Sequence, residues 1–243
     1  MRYKVVVSYD GRDYVGFQSQ KNGLAIQDII EKVIYKIFNE KTRIIMASRT
    51  DSGVHAKYQV FHFDALKDID DYKLKGFFNG LLPKNIHVKS VKHVKESFHA
   101  RFNVKSKTYE YIINNGDYDV FLNGYAYQCG YKLDFELMKK CSKLFIGKHD
   151  FSSFNTSSYK EKPDQVRTIY DFSLTKKGGI IKIKITGDGF LRNMVRIIVG
   201  CLVDVARGNK NISEIKEMIN KPSKDYKKYN VDPNGLYLVK INY

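Results

Sequence analysis

Arg43-Ile44-Ile45-Met46-Ala47-Ser48-Arg49-Thr50-Asp51-Ser52-Gly53-Val54-His55-Ala56-Lys57-Tyr58-Gln59-Val60-Phe61-His62-Phe63 reads as two strands joined by a polar loop. The strand-like runs lie near 43–48 and 57–63, and the residues between them include good turn formers. The pair sits between two helical patterns. Upstream, Ile26, Ile29, Ile30, Val33, Ile34, Ile37 and Phe38 recur at three- and four-residue spacing, the apolar stripe of a helix packed on one side. Before that stripe, residues 2–9 alternate, with Tyr3, Val5, Val7 and Tyr9 on one side, as a half-buried strand does. Downstream, a helical segment at about 71–80 leads through Leu82-Pro83 to a strand near 86–94. The order is strand, helix, strand, strand, helix, strand.

The rest of the chain repeats this grammar. Residues 107–114 read as a strand, and Leu137, Met138, Cys141, Leu144 and Phe145 mark a helix. A hairpin of 167–175 and 180–187 turns at Lys177-Gly178-Gly179. Leu191, Met194, Val195, Ile198, Leu202 and Val205 mark the most apolar helix, and a small helix near 213–220 precedes a last strand, Leu236 to Tyr243. Each half therefore carries the split βαββαβ pattern of ferredoxin-like domains. The expected fold is α+β: two such halves, 1–105 and 106–243, their sheets joined around a central basic cleft.

Of 243 residues, 42 are Lys or Arg and 26 are acidic, a net charge of +16 spread along the whole chain. A broad positive surface on a folded protein suits a polyanion, although a lysine-rich solvated surface is the plainer alternative. An open four-stranded face would suit RNA, but the signature of RNA-recognition modules, a basic residue followed by Gly-aromatic-Gly-aromatic, is absent. Cys129, Cys141 and Cys201 form no CxxC pair, and the six histidines form no ligand cluster, so no metal site is expected. The run Val5-Val6-Val7 is too short for a signal sequence, and Ile197 to Val203 too short for a membrane span. A cytoplasmic setting, with no membrane partner and no nucleotide cofactor, is the expectation.

The loop between the first hairpin's strands gathers Arg49, Thr50, Asp51, Gly53 and His55 within seven residues. A strand-loop-strand tip presents a side chain from a rigid base, and a carboxylate beside an arginine stays ionised, as a nucleophile or base requires. An ordinary hairpin turn is the alternative. The loop, Ser48-Arg49-Thr50-Asp51-Ser52-Gly53-Val54-His55-Ala56, resembles the signature of the TruA family of tRNA pseudouridine synthases. So do Tyr9-Asp10-Gly11-Arg12-Asp13-Tyr14-Val15-Gly16-Phe17-Gln18, Phe98-His99-Ala100-Arg101-Phe102 and Lys107-Thr108-Tyr109-Glu110-Tyr111. His149-Asp150-Phe151-Ser152-Ser153-Phe154, Gly189-Phe190-Leu191 with Met194-Val195-Arg196, and Gly235-Leu236-Tyr237-Leu238 complete the series in the family's order. Ser48 replaces a usual Gly, Phe17 a usual Trp, and Val231-Asp232-Pro233-Asn234 departs from the family's pattern.

The resemblance implies a cofactor-free isomerase that converts uridine to pseudouridine in the tRNA anticodon arm, working as a homodimer. It implies Asp51 as the essential carboxylate, by covalent attack or by a glycal route. Tyr109 would lie against the uracil, and Arg196 would pair with Asp51. Arg49 would fill the space the flipped base leaves. Thr50, Gly53 and His55 would contact substrate beside Asp51, Arg101 and Lys107 would contact phosphates, and Met194 and Leu236 would wall the pocket. A synthase of the same type acting on ribosomal RNA, and a catalytically silent RNA-binding protein, are the rival readings.

Overall fold

Tyr3, Val5, Val7 and Tyr9 are all buried on β1 (Arg2–Tyr9), so the alternation that marks this strand is the alternation of a packed face. In the computed structural model, which describes residues 1–243, the chain forms two units, Met1–Lys105 with Tyr237–Tyr243, and Ser106–Leu236. The first unit continues with α1 (Ile26–Phe38), β2 (Ile45–Met46), β3 (His55–Asp64), α2 (Asp71–Leu81) and β4 (Ile86–Val94). β1 lies between β4 and β3, antiparallel to both.

Both helices cover one face of this sheet. Tyr3 of β1 stacks on Phe63 of β3 with ring centroids 5.2 Å apart; Phe38 of α1 packs 6.1 Å from Tyr3, and Phe78 of α2 packs 6.1 Å from Phe63. Such aromatic contacts add to the large area each ring buries. The helix ends are fixed locally: the Asp28 carboxylate accepts the Ala25 N–H at 3.2 Å at the start of α1, and the Asp70 carboxylate accepts the Tyr72 and Lys73 N–H groups at the start of α2. On the other face Lys4 and His62 are register partners. The turn at 98–103 covers them: Ala100 N–H donates to His62 Nδ1 at 3.1 Å, and Lys4 Nζ lies over the Phe98 ring at 5.2 Å. Burial, with the neighbouring Arg2 charge, pushes the His62 imidazole down to about 4.

The second unit contains β5 (Ser106–Asn114), β6 (Tyr127–Gln128), α3 (Phe135–Ser142), β7 (Gly147–Asp150), β8 (Val166–Lys177), β9 (Ile180–Gly187), α4 (Met194–Ala206) and α5 (Ile212–Asn220). Its strand order is β5-β9-β8-β7, antiparallel throughout, with β6 added parallel to β5. α4 is apolar on nearly every side because it is buried on nearly every side; Arg196 and Asp204 are its only residues with more than marginal exposure. Phe145, Phe151, Phe154 and Phe172 cluster in the core of this unit. No helix of the chain is long and apolar enough to cross a membrane.

Several boundaries differ from the sequence reading. β2 is two residues long instead of the six at 43–48, and β3 begins earlier, at His55. Leu191 precedes α4 instead of lying in it, because Asn193 adopts a left-handed conformation (φ 60°) and the helix starts at Met194. β6 and β7 appear in no apolar pattern. The last strand, β10 (Leu236–Asn242), follows the second unit in sequence, yet Tyr237 and Leu238 pair parallel to His55 and Ala56 of β3 in the first. The second unit therefore holds the β5-β9-β8 part of the ferredoxin-like order without that final strand.

Candidate active site

The Asp51 loop is shaped by a second loop far from it in sequence. After β1 the chain turns through residues 10–17, and Gly16 forms an isolated antiparallel bridge with Asp51. Phe17 N–H donates to Thr50 O at 3.2 Å, and the Ser52 hydroxyl donates to Tyr14 O at 3.1 Å. Gly16 has φ +117°, and a Cβ there would lie 2.6 Å from Thr50 O. A left-handed, crowded position of this kind admits only glycine. On the far side of Asp51 the chain closes a β-turn, Val54 N–H to Asp51 O at 3.2 Å, with Gly53 at φ 77° in its third position. Asp51 is thus held by backbone bonds on both sides while its side chain keeps partial exposure.

Beneath it, the neighbours are buried. The Thr50 hydroxyl is hydrogen-bonded to the Tyr9 hydroxyl at 2.8 Å. His55 is 2% exposed and stacks on Tyr237 with centroids 4.7 Å apart. Gly11 N–H donates to His55 Nδ1 at 3.2 Å. The Asp10 carboxylate lies 3.3 Å from the same nitrogen. Thr50 and His55, expected to contact substrate, are therefore placed where they support the loop. Arg49 is exposed, directly before this buried pair. Arg101 is also exposed, on the separate 99–103 turn of the same unit.

The other expected residues lie in the second unit. Tyr109, 6% exposed on β5, has its ring held edge-on by Phe190 at 5.2 Å. Lys107, two residues earlier on the same strand, is half-buried. Arg196 lies one turn into α4, where its Nε donates to Val231 O at 2.7 Å and Nη1 donates to Asn193 Oδ1 at 3.1 Å. The carbonyl that follows, Asp232 O, accepts the Tyr111 hydroxyl at 2.6 Å, and burial pushes that phenol well above its usual range, so it stays a donor. The 231–232 segment is thereby fixed between β5 and α4, and with it the arginine. Met194 is fully buried and Leu236 nearly so. No group of His, Cys, Asp or Glu is arranged to hold a metal ion.

Sequence reasoning missed Tyr9, Gly11 and Gly16 as parts of this apparatus. All three were in view within the Tyr9–Gln18 motif, but nothing local says that their partners lie about forty residues downstream.

Comparison with known proteins places the chain in a family. Residues 5–103 and 141–243 match the family described as tRNA pseudouridine synthase, leaving Lys107 and Tyr109 between the two matched segments. The chain is 41% identical over 240 residues to a protein of Thermoanaerobacter sp. (strain X514) named tRNA pseudouridine synthase A, covering 98% of each. Proteins of the same name from Oceanobacillus iheyensis (39% over 244 residues, 100% of this chain and 96% of that one) and Bacillus licheniformis (40% over 246 residues, 100% and 99%) are similar along their whole length.

Proposed function

This chain belongs to the tRNA pseudouridine synthase family, and we propose that it isomerises uridines in the tRNA anticodon stem-loop with Asp51 as the essential carboxylate. The reaction breaks the N1–C1′ bond, turns the detached uracil and rejoins it through C5, with the C5 proton lost to solvent and a proton taken up at N1. Atoms and electrons balance without a redox partner or group donor, so amino-acid side chains suffice.

The observation that carries the assignment is the way Asp51 is presented. Its backbone is fixed by the Gly16 bridge and by the turn through Gly53, and its side chain is the half-exposed member of a loop whose Thr50 and His55 are buried. A reacting carboxylate needs such a base, because a displacement of about 1 Å lowers rate by about a hundredfold. Thr50, Gly53 and His55 then act as positioning residues. The family resemblance supports Arg196, held by Val231 O and Asn193 Oδ1, as the cation that keeps a reacting carboxylate ionised. Tyr109 lies against the uracil and takes the C5 proton at the end. Arg49 enters the space left by the flipped base, and Arg101 and Lys107 meet phosphates. Leu236 and Met194 complete the apolar wall. The family resemblance supports a homodimer, one RNA touching both subunits, and a cytoplasmic setting.

Asp51→Ala tests this directly. Pseudouridine formation, followed as tritium release from C5-labelled uridine in bulk tRNA, is expected to vanish. Filter binding of tRNA is expected to persist, since an anion has been removed from a basic surface. A variant that releases tritium at the wild-type rate would remove Asp51 from the mechanism.

A further inference from the structure

Phe102 is 76% exposed, yet it is not a loose surface side chain. Its ring stacks on His99 with centroids 4.2 Å apart and planes 24° apart. His99 is itself locked: its Nδ1 accepts the Arg101 and Phe102 N–H groups at 3.2 and 3.1 Å, and its own N–H donates to Asn103 Oδ1 at 2.5 Å. Asn103 N–H returns a bond to His99 O at 3.1 Å. Below, Ala100 is pinned by its N–H to the buried His62 and by its carbonyl to the Tyr243 hydroxyl at 2.8 Å. The turn therefore holds an aromatic ring on a rigid base, with one face on imidazole and the ring largely open to solvent.

Charge distinguishes this ring from those of the exposed Tyr72 and Tyr118. Tyr72 lies beside Asp70 and Asp71, and Tyr118 lies between Asp117 and Asp119. From Ser97 to Tyr109 there is no acidic residue, and Arg101, Lys105 and Lys107 fall within that stretch. An exposed aromatic among cations suits an unpaired base with its flanking phosphates, because every base offers a π-face and stacking is tolerant of sequence. We infer that the 99–103 turn is a second RNA contact, which stacks an unpaired nucleotide other than the target uridine on Phe102 while Arg101 and Lys105 hold its phosphates. The inference rests on the proposed action on tRNA and adds to it a nucleotide site remote in sequence from the Asp51 loop.

The test compares Phe102→Ala, Phe102→Tyr and Arg101→Ala by filter binding to bulk tRNA across a salt series, and to a fully paired RNA duplex. Phe102→Ala is expected to weaken tRNA binding roughly five- to a hundredfold, as the loss of one base stack does. Its salt slope and its affinity for the duplex should stay at the wild-type values, and Phe102→Tyr should restore binding. Arg101→Ala should instead lower the salt slope by about 0.7 to 0.9. Thermal melting confirms that each variant is folded. Wild-type tRNA affinity in Phe102→Ala overturns the inference, as does an equal loss on the duplex. Loss of self-association in sedimentation with RNA affinity unchanged also overturns it, and assigns the ring to a second copy of the chain. Wild-type protein that fails to bind tRNA would sink both this site and the proposed function, whereas Phe102→Ala that binds tRNA normally sinks this site alone.

Discussion

Replacing Gly11 by alanine should separate catalysis from binding. A Cβ at this position would lie 2.1 Å from Val54 O and 2.6 Å from Val54 C, more than ~1 Å inside an ordinary contact of about 3.5 Å. Both partners are backbone, so no rotamer change relieves the overlap and the 10–17 loop must part from the Asp51 loop. The displacement also stretches the Gly11 N–H bond to His55 Nδ1. Overpacking costs about 1–3 kcal/mol and the lost hydrogen bond about 1 kcal/mol, so unfolding stability should fall by about 2–4 kcal/mol. If Asp51 moves by about 1 Å with Val54, the rate should fall about a hundredfold, or ~2.7 kcal/mol in the barrier. Single-turnover tritium release at saturating tRNA reads the rate, urea denaturation reads the stability, and filter binding should show unchanged affinity. Gly76→Ala is the matched control. On exposed α2 its Cβ meets nothing within 4 Å, and it should stabilise by about 0.5–1 kcal/mol with full activity. A folded Gly11→Ala protein with wild-type turnover would refute the claim that the 10–17 loop positions the carboxylate.

Tyr9→Phe removes the hydroxyl bonded to Thr50 Oγ1 at 2.8 Å; we expect lower kcat with little change in KM for tRNA, and equal losses in both would argue for a role in binding. Arg49→Ala should slow isomerisation strongly while changing tRNA affinity by less than about tenfold, or ~1.4 kcal/mol; an RNA whose target base is already unpaired should escape most of the loss, and failure to do so removes the flipping role. His62 is held neutral, its pKa down to about 4 from an ordinary value near 6.5. Between those values the unfolded chain binds a proton that the native one refuses, so the His62 contribution is complete above pH 6.5 and is lost as pH falls toward 4. The loss should not exceed about 3 kcal/mol, and urea midpoints for wild type and His62→Asn should converge at low pH; parallel curves would contradict the burial argument.

What the sequence makes legible follows from where the determining contacts lie. The α1 and α4 patterns are readable because their burial repeats with helical period along the segment itself. The tip of the first hairpin is not. A regular strand over 43–48 would continue pairing with β3, but the ladder stops after Ala47 N–H bonds to Val60 O, and the Gln59 side chain takes over by donating to Ser48 O at 2.7 Å. The chain leaves the sheet there to meet Gly16, a partner no local window contains. β7, Gly147-Lys148-His149-Asp150, is short and polar, so pairing with β8 alone defines it. At the candidate site, Asp51 was legible as a motif. Thr50 and His55 are of residue types that suit RNA contact, and nothing in the local sequence shows that both are buried.

The placement of β10 bears on how the protein is made. His55 stacks on Tyr237, and β3 pairs with β10, so the Asp51 loop of the first unit leans on a strand separated from it in sequence by the entire second unit. During synthesis the first 105 residues emerge with this edge of β3 still waiting for its neighbour, and at ordinary translation rates the wait is seconds to tens of seconds. Pairings this distant in sequence form late. The carboxylate loop therefore reaches its working shape only after nearly every other element has been synthesised, and a nascent chain cannot present it early. The same arrangement makes the isolated first unit a poor fragment to express. Without β10 it would expose the edge of β3 beside its most delicate loop, an invitation to pair with another copy.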